Sequence, residues 1–255
     1  MLEWAREAQE LTRYFIGTSG WHYDDWRHRF YPEKMPKSQW LQFYAEHFPT
    51  VELNNSFYRL PSEKAVNNWY DSSPTDFTYS VKVSRFITHI KRLKETGEAV
   101  TNFMSRMSTL KEKLGPLLYQ LPPSMQRDDE ILANFLRILP KEYRHVMEFR
   151  HKSWLVDEVF DVLQRYNTGL CIFDMPKLSC PLLATSDFVY IRFHGSDSLY
   201  SSCYTDEELA GWADEITEMS GNLESVFIYF NNDAEGFALK NAVTIRDYLE
   251  KGNQN

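Results

Sequence analysis

The chain is short of cysteine, glycine and positive charge, and each shortage removes a class of protein. Its three cysteines among 255 residues, Cys171, Cys180 and Cys203, form neither a CxxC pair nor an even disulfide framework. A reducing compartment is the simpler setting for such thiols. The glycines include no GxGxxG run, and the turn after the first apolar run reads GTSGW. The Gly-rich phosphate turn of an open doubly wound sheet is therefore missing. A formal net charge of −8 argues against a surface that attracts nucleic acid or anionic lipid as a whole, because that attraction needs a net positive field. A local basic pocket is compatible with it. No apolar run approaches the length of a transmembrane helix, and the opening stretch MLEWAREAQELTR is charged throughout, without the apolar stretch of a signal peptide. A cytoplasmic protein with no membrane contact is the expectation.

What is present is a hydrophobic share of 43%, enough for a substantial core, arranged as short apolar runs that alternate with helical patterns. The runs cover 14–20, 50–58, 77–84, 115–122, 144–150, 169–174, 188–195 and 225–232. Helix candidates between them cover 38–48 and 62–72, opened by Ser38 and Ser62 as N-caps, and 98–115, closed by Gly115. Others cover 128–139, stopping before Pro140, a stretch that starts at Ser153, and 205–221, opened by Thr205. Alternating strands and helices imply parallel βαβ units, and eight of them in this length is the count of an α/β, TIM-type (β/α)₈ barrel. The connection between strands 6 and 7, MPKLSCPLLATS, reads as an irregular loop rather than a helix. Residues 1–13 are expected to form an N-terminal helical extension, and 14–255 a single barrel domain.

Parallel strands covered on both faces should read as continuous apolar runs, yet here polar residues recur with period two. Tyr190, Arg192 and His194 share a face in the seventh run, as do Glu52 and Asn54 in the second. Thr78, Ser80 and Lys82 do so in the third, Glu148 and Arg150 in the fifth, and Tyr229 and Asn231 in the eighth; Gln120 and Asp174 sit near the ends of the fourth and sixth. Helices cover the outside of a barrel, so the polar parity should face in. Most of these residues fall at C-terminal strand ends, where barrels build their sites. The competing reading is structural: Glu52 with Lys82, or Glu148 with Arg192, as buried salt bridges.

Several stretches, in order, carry a resemblance: IGTSGWHYDDW (16–26), FYPEKMP (30–36), VELNNSFYRLPS (51–62), THIKRL (88–93), YQLPPS (119–124), MEFRHKSW (147–154), YIRFHG (190–195) and YFNNDAEGFALKNA (229–242). Together they resemble the YecE-like family, known as domain of unknown function 72, from roughly Tyr14 to Leu249. The resemblance implies a TIM-type barrel and brings no settled activity.

The residues themselves point to an anionic ligand, a phosphorylated small molecule or a nucleic-acid fragment, at the C-terminal mouth. Lys82, Arg150 and Arg192, with His89 and Lys91 on the loop after the third strand, supply cations, Arg as a planar fork and Lys as a point charge. HGSD (194–197) and NNDAEG (231–236) add backbone donors near helix starts. Glu148 and His194 are the acid/base candidates for hydrolytic chemistry. Ligand contacts are expected from Trp21, Tyr23, Glu52, Asn54, Tyr58, Lys82, His89, Gln120, Arg150, Asp174, Arg192, Tyr229 and Asn231. The aromatics Trp21, Tyr23, Trp26, Phe57 and Tyr58 either stack a ring or plug the barrel top. One alternative is a metal-dependent phosphoesterase or nuclease resembling endonuclease IV in fold. It would draw on His22, Glu52, His89, Glu148, Asp174 and His194, although these form neither HxH nor HExxH. The other is a non-catalytic nucleotide or nucleic-acid binder. No metal site and no cofactor are expected, a divalent metal staying open as part of the first alternative, and no protein partner is indicated. Asp233 is expected to cap the last helix, and Cys171 to be a small buried hydrophobe.

Overall fold

The computed structural model describes residues 12–252 except Asp197 and Asn222. The helical extension expected over 1–13 lies outside the described residues, except for Thr12 and Arg13, and Arg13 is already the first residue of a strand. Eight strands pair in parallel in chain order: β1 (Arg13–Thr18), β2 (Thr50–Leu53), β3 (Thr78–Lys82), β4 (Leu114–Gln120), β5 (His145–Glu148), β6 (Gly169–Asp174), β7 (Phe188–Phe193) and β8 (Ser225–Phe230). The last strand pairs back onto the first, with Thr18 beside Phe230, and closes a TIM-type barrel.

The helices are α1 (Trp40–Ala45), α2 (Asn55–Tyr58), α3 (Glu63–Ser72), α4 (Gly97–Met107), α5 (Asp129–Arg137), α6 (Asp157–Arg165), α7 (Asp206–Ser220) and α8 (Phe237–Gly252). Ser62 caps α3 by accepting from the Ala65 N–H at 3.2 Å. Thr205 and Glu208 form a reciprocal capping box on α7, which satisfies two of the backbone donors that a helix start leaves free. Among the described residues the connection from β6 to β7 holds no helix, as its irregular sequence indicates.

Side-chain alternation divides the apolar residues into two clusters. Outward residues such as Val51, Leu53, Val81, Met147 and Ile191 pack under the helices. Inside the barrel lie Phe15, Leu118, Val146, Cys171, Phe188, Tyr190, Phe227 and Tyr229, with Phe15 stacked on Phe227 at 4.7 Å. This aromatic plug fills the lower barrel, and the two tyrosines point hydroxyls toward the polar end. The Tyr229 hydroxyl bonds Thr50 Oγ1 at 2.6 Å and Ser80 Oγ at 2.8 Å. The Tyr190 hydroxyl donates to Glu52 Oε2 at 2.7 Å. Cys171 is the buried small hydrophobe expected.

Several element ends differ from the sequence reading. Residues 55–58 leave the second strand and turn into α2, where Ser56 Oγ donates to the Lys82 carbonyl at 2.7 Å. Gly115 closes no helix but lies inside β4, because the strand there passes too close to β3 for a side chain: a Cβ would stand 2.5 Å from Thr78 Cγ2. Ser38 lies in a 3₁₀ turn ahead of α1. Ser153 caps no helix either. Its 3₁₀ turn drives Trp154 into the core, its hydroxyl accepts from the Arg127 N–H at 2.8 Å, and α6 starts only at Asp157.

Candidate functional site

At the C-terminal end of the barrel the inward parity brings together Glu52 from β2, Lys82 from β3, Glu148 from β5 and Arg192 from β7, with Arg150, His194 and Asn231 just beyond strand ends. Arg192 is the hub. It donates from Nη1 to Glu148 Oε2 at 2.7 Å and from Nη2 to Glu52 Oε1 at 2.8 Å. All three side chains are essentially inaccessible to water. Arg150 closes on the other Glu148 oxygen, donates to Met175 Sδ at 2.9 Å and lies 5.2 Å over the Phe173 ring. Glu52 is saturated further by the Ser19 hydroxyl at 2.8 Å and the Asn54 amide at 3.1 Å. Of the two structural pairs that sequence offered, Glu148 with Arg192 forms. The second is replaced, since Arg192 rather than Lys82 takes Glu52.

This network sets the ionisation of its members. Burial works against a charged Glu148, but Arg150 and Arg192 outweigh it and hold the carboxyl well below its usual range. Burial likewise opposes Glu52, and Arg192, the Tyr190 hydroxyl and Lys82 carry it down. His194 is fully buried; desolvation first, then Arg192 and Arg150, keep its pKa well below the ordinary imidazole value. Neither acid/base candidate is tuned near neutral pH: Glu148 is a fixed anion and His194 a fixed neutral base, because cations surround both. The group moved toward neutrality is Lys82. Desolvation, then Arg192, lower its ammonium to about 8, while Glu148 and Glu52 partly restore it.

Lys82 is also the cation left over. Its Nζ stands 4.5 Å above the Phe57 ring, and among the described residues no carboxylate pairs with it, both nearby ones being held by arginines. Leu53 pairs with Val81 across β2 and β3, so Asn54 and Lys82 follow side by side, and the buried Asn54 Oδ1 has no donor. Gln120 is opposite Glu148 across β4 and β5. His89, on the π-helical turn after β3, packs edge-on to Phe57 at 5.0 Å, and burial followed by Lys82 lowers its pKa.

Other residues singled out in the sequence lie elsewhere. Asp174 shares the outward parity of Leu170 and Ile172 and bonds the Tyr204 hydroxyl beneath the helix layer; it faces away from the mouth because Cys171 and Phe173 take the inward places. Tyr229 stands in register with Arg192 and spends its hydroxyl on Thr50 and Ser80. Tyr58 is 74% exposed on α2. Trp21 packs edge-on to Trp69, and the Tyr23 hydroxyl donates to the Ser19 carbonyl at 2.5 Å. Both border a cavity of about 460 Å³ that reaches Ser19, Glu52 and Asn54. Trp26 and Phe57 are buried and plug the top. Asp233 caps no helix; it accepts from Trp26 Nε1 at 2.7 Å and ties the loop after β8 to the loop after β1. Sequence reasoning missed Ser19 and Tyr190 as partners of Glu52. Tyr190 carried a signal, its place on the inward parity; Met175 carried none.

The candidate metal ligands are spent otherwise. Glu52 and Glu148 hold guanidiniums, His194 lies between Arg150 and Asn231, and among the described residues no group of three His, Cys, Asp or Glu has the geometry of a metal centre. Cys171, Cys180 and Cys203 are free thiols. Among the described residues no helix is long and apolar enough to cross a membrane.

Comparison with known proteins gives a family and no reaction. The family model described as "Protein of unknown function DUF72" matches residues 15–255. The UPF0759 protein YunF of Bacillus subtilis is 26% identical over 92% of this chain and 94% of its own. The UPF0759 protein YecE of Escherichia coli K12 is 35% identical over 45% of this chain and 42% of its own. A crystal structure of a DUF72 family protein from Thermotoga maritima superposes with a TM-score of 0.84 at 30% identity, covering 93% of this chain and 99% of that one. A DUF72 family protein from Enterococcus faecalis, 22% identical with a TM-score of 0.81 over 93% of this chain and 95% of that one, shares the fold.

Proposed function

The chain belongs to the DUF72 family, and from that premise we propose that the C-terminal mouth of its barrel binds an anionic, phosphorylated small molecule or the phosphate of a short nucleic-acid fragment in the cytoplasm. One observation carries the reading. Of the two buried carboxylates, Glu52 is taken by Arg192 and Glu148 by Arg192 and Arg150, so among the described residues Lys82 stands at the mouth without a paired carboxylate. A half-buried ammonium in that position is stabilised by an anion that brings its own charge. Gln120 lies two residues past Leu118, the register partner of Lys82 on the neighbouring strand, and a cavity bordered by Trp21 and Tyr23 reaches Glu52 and Asn54 at the adjoining strand end.

The arginines take a smaller part than a mouth full of cations suggests. Arg192 is inaccessible and Arg150 nearly so, and they serve as the rigid platform on which Lys82 stands. Hydrolysis by Glu148 and His194 loses ground for the same reason, since one is held ionised and the other neutral.

The test is a thermal-shift series with inorganic phosphate, dihydroxyacetone phosphate, nucleoside monophosphates and a 5′-phosphorylated oligonucleotide. A ligand that binds only the folded state raises the apparent stability. The expected result is a rise in Tm with at least one phosphate-bearing compound that disappears in Lys82→Met. Equal shifts in both proteins, or none with any compound, would remove the reading.

A further inference from the structure

We infer that Lys82 is a nucleophilic amine whose Nζ forms a Schiff base with a ketone or aldehyde group of the bound anion, so that the site takes a phosphorylated carbonyl compound. This rests on the mouth being an anion site, and it adds the functional group that the anion must carry.

The geometry separates Lys82 from every other cation in the barrel. Arg150 and Arg192 cannot give up a proton under ordinary conditions, and both are locked to carboxylates. Lys82 has no such lock. A lysine held by a carboxylate stays an ammonium and has no lone pair to offer; Lys82 has only the weaker hold of the Phe57 ring on its charged form, and burial with an arginine neighbour works against that charge. The charged and titratable groups around it come from every neighbouring element: Glu52 from β2, Glu148 and Arg150 at the end of β5, Arg192 and His194 at the end of β7, and His89 after β3. Among those felt most by Lys82, desolvation and Arg192 together outweigh the two carboxylates, which places the ammonium near pH 8. About a tenth of the side chain is then free amine at pH 7, against well under a thousandth for an ordinary lysine.

The step balances without an outside reagent. The amine lone pair attacks the carbonyl carbon, the carbonyl π pair moves onto oxygen, and a proton passes from nitrogen to that oxygen to give a carbinolamine. Loss of the hydroxyl with the remaining nitrogen proton releases one water and leaves the C=N bond. Uptake of a solvent proton gives the iminium. The positive charge at Nζ is thereby restored, so the ligand's anionic group keeps its counter-ion through the adduct.

The experiment traps the iminium. The protein is incubated with dihydroxyacetone phosphate, or with dihydroxyacetone as the uncharged analogue, in the presence of sodium cyanoborohydride. That reagent delivers hydride to the iminium carbon and fixes a secondary amine. Peptide mass spectrometry then gives the rate at each lysine from pH 6 to 10. The expected result is modification of Lys82 about tenfold or more ahead of any other lysine at pH 7, with a midpoint near pH 8, because reactivity follows the free-amine fraction. The phosphorylated ketone should react faster than the uncharged one, and Lys82→Arg should keep stabilisation by phosphate while losing the adduct. Lys82 reacting no faster than surface lysines, or with their pH profile, would overturn the proposal. If phosphate stabilises the protein and Lys82 is not modified, the anion site stands and the Schiff base falls. If both ketones modify Lys82 selectively at equal rates, the amine stands and the preference for an anion falls.

Discussion

Arg150 Nη2 lies 2.9 Å from His194 Nε2, and that single distance fixes the state of the imidazole. A guanidinium only donates, so Nε2 is the unprotonated acceptor and the ring proton sits on Nδ1, 3.1 Å from the amide of Asn231. Asn231 must then turn its oxygen toward the ring. A second proton on His194 would face Arg150 directly, which is why burial and the two arginines together keep the ring neutral.

A pH dependence of stability follows. The folded pKa of His194 lies below its unfolded value of 6.5, so the unfolded chain binds more protons as pH falls past that value. The contribution of His194 is fully present above about pH 6.5 and is lost as pH falls below it. Glu52 and Glu148 stay ionised in both states down to about pH 5, so the window from pH 7.5 to 5.5 separates the histidine from them. His145 is lowered by burial too and adds the same sign. Urea unfolding at pH 7.5 and 5.5 should show wild type losing more stability on acidification than His194→Gln. Identical losses would mean that the ring titrates normally.

Arg192 answers a different question, because it neutralises two carboxylates. Removing one partner of a buried ion pair costs about 3–5 kcal/mol, since the other charge stays buried and unpaired. Arg192→Met leaves Glu52 with only hydroxyl and amide donors and Glu148 with only Arg150. The expected loss is at the upper end of that range in urea unfolding at pH 7. It should shrink as pH falls toward 4, where the stranded carboxylates can protonate. A loss below about 1 kcal/mol would place the network at the level of an exposed ion pair.

Much of this arrangement is legible in the sequence. Period-two alternation is a local property of a strand, so Glu52, Lys82, Glu148 and Arg192 could be assigned to one face from their neighbours alone. The barrel followed from eight apolar runs separated by helices. The polarity of Asp174 is no guide to its direction; Cys171, on the inward parity, places it outside. The pairing was out of reach. Arg192 reaches Glu52 across 140 residues of chain, and whether it or Lys82 takes that carboxylate depends on the radius and stagger of the closed sheet. The ionisation states followed the pairing, so Glu148 and His194 read as an acid/base pair only until their cations were known.

Asp233 carries the opposite pH signature from His194. Burial first, with Asp25 adding to it, raises its carboxyl to about 7 even though the Trp26 indole N–H donates to it. Its unfolded value is 3.8, so between these two values the folded chain binds the extra proton. Its contribution is therefore fully present below about pH 4 and is lost as pH rises through 7. Asp233→Asn keeps an oxygen for the Trp26 N–H and removes the titration. Thermal unfolding at pH 4, 5.5 and 8 should therefore separate the two proteins: the Tm of Asp233→Asn rises relative to wild type from pH 4 through 5.5 and levels off above pH 7. The gain is modest, because part of the Asp233 side chain meets solvent, where charge is screened. A lower Tm for the variant at pH 8 would mean that the ionised carboxylate is the stabilising form, and that the Trp26 bond outweighs the burial of its charge.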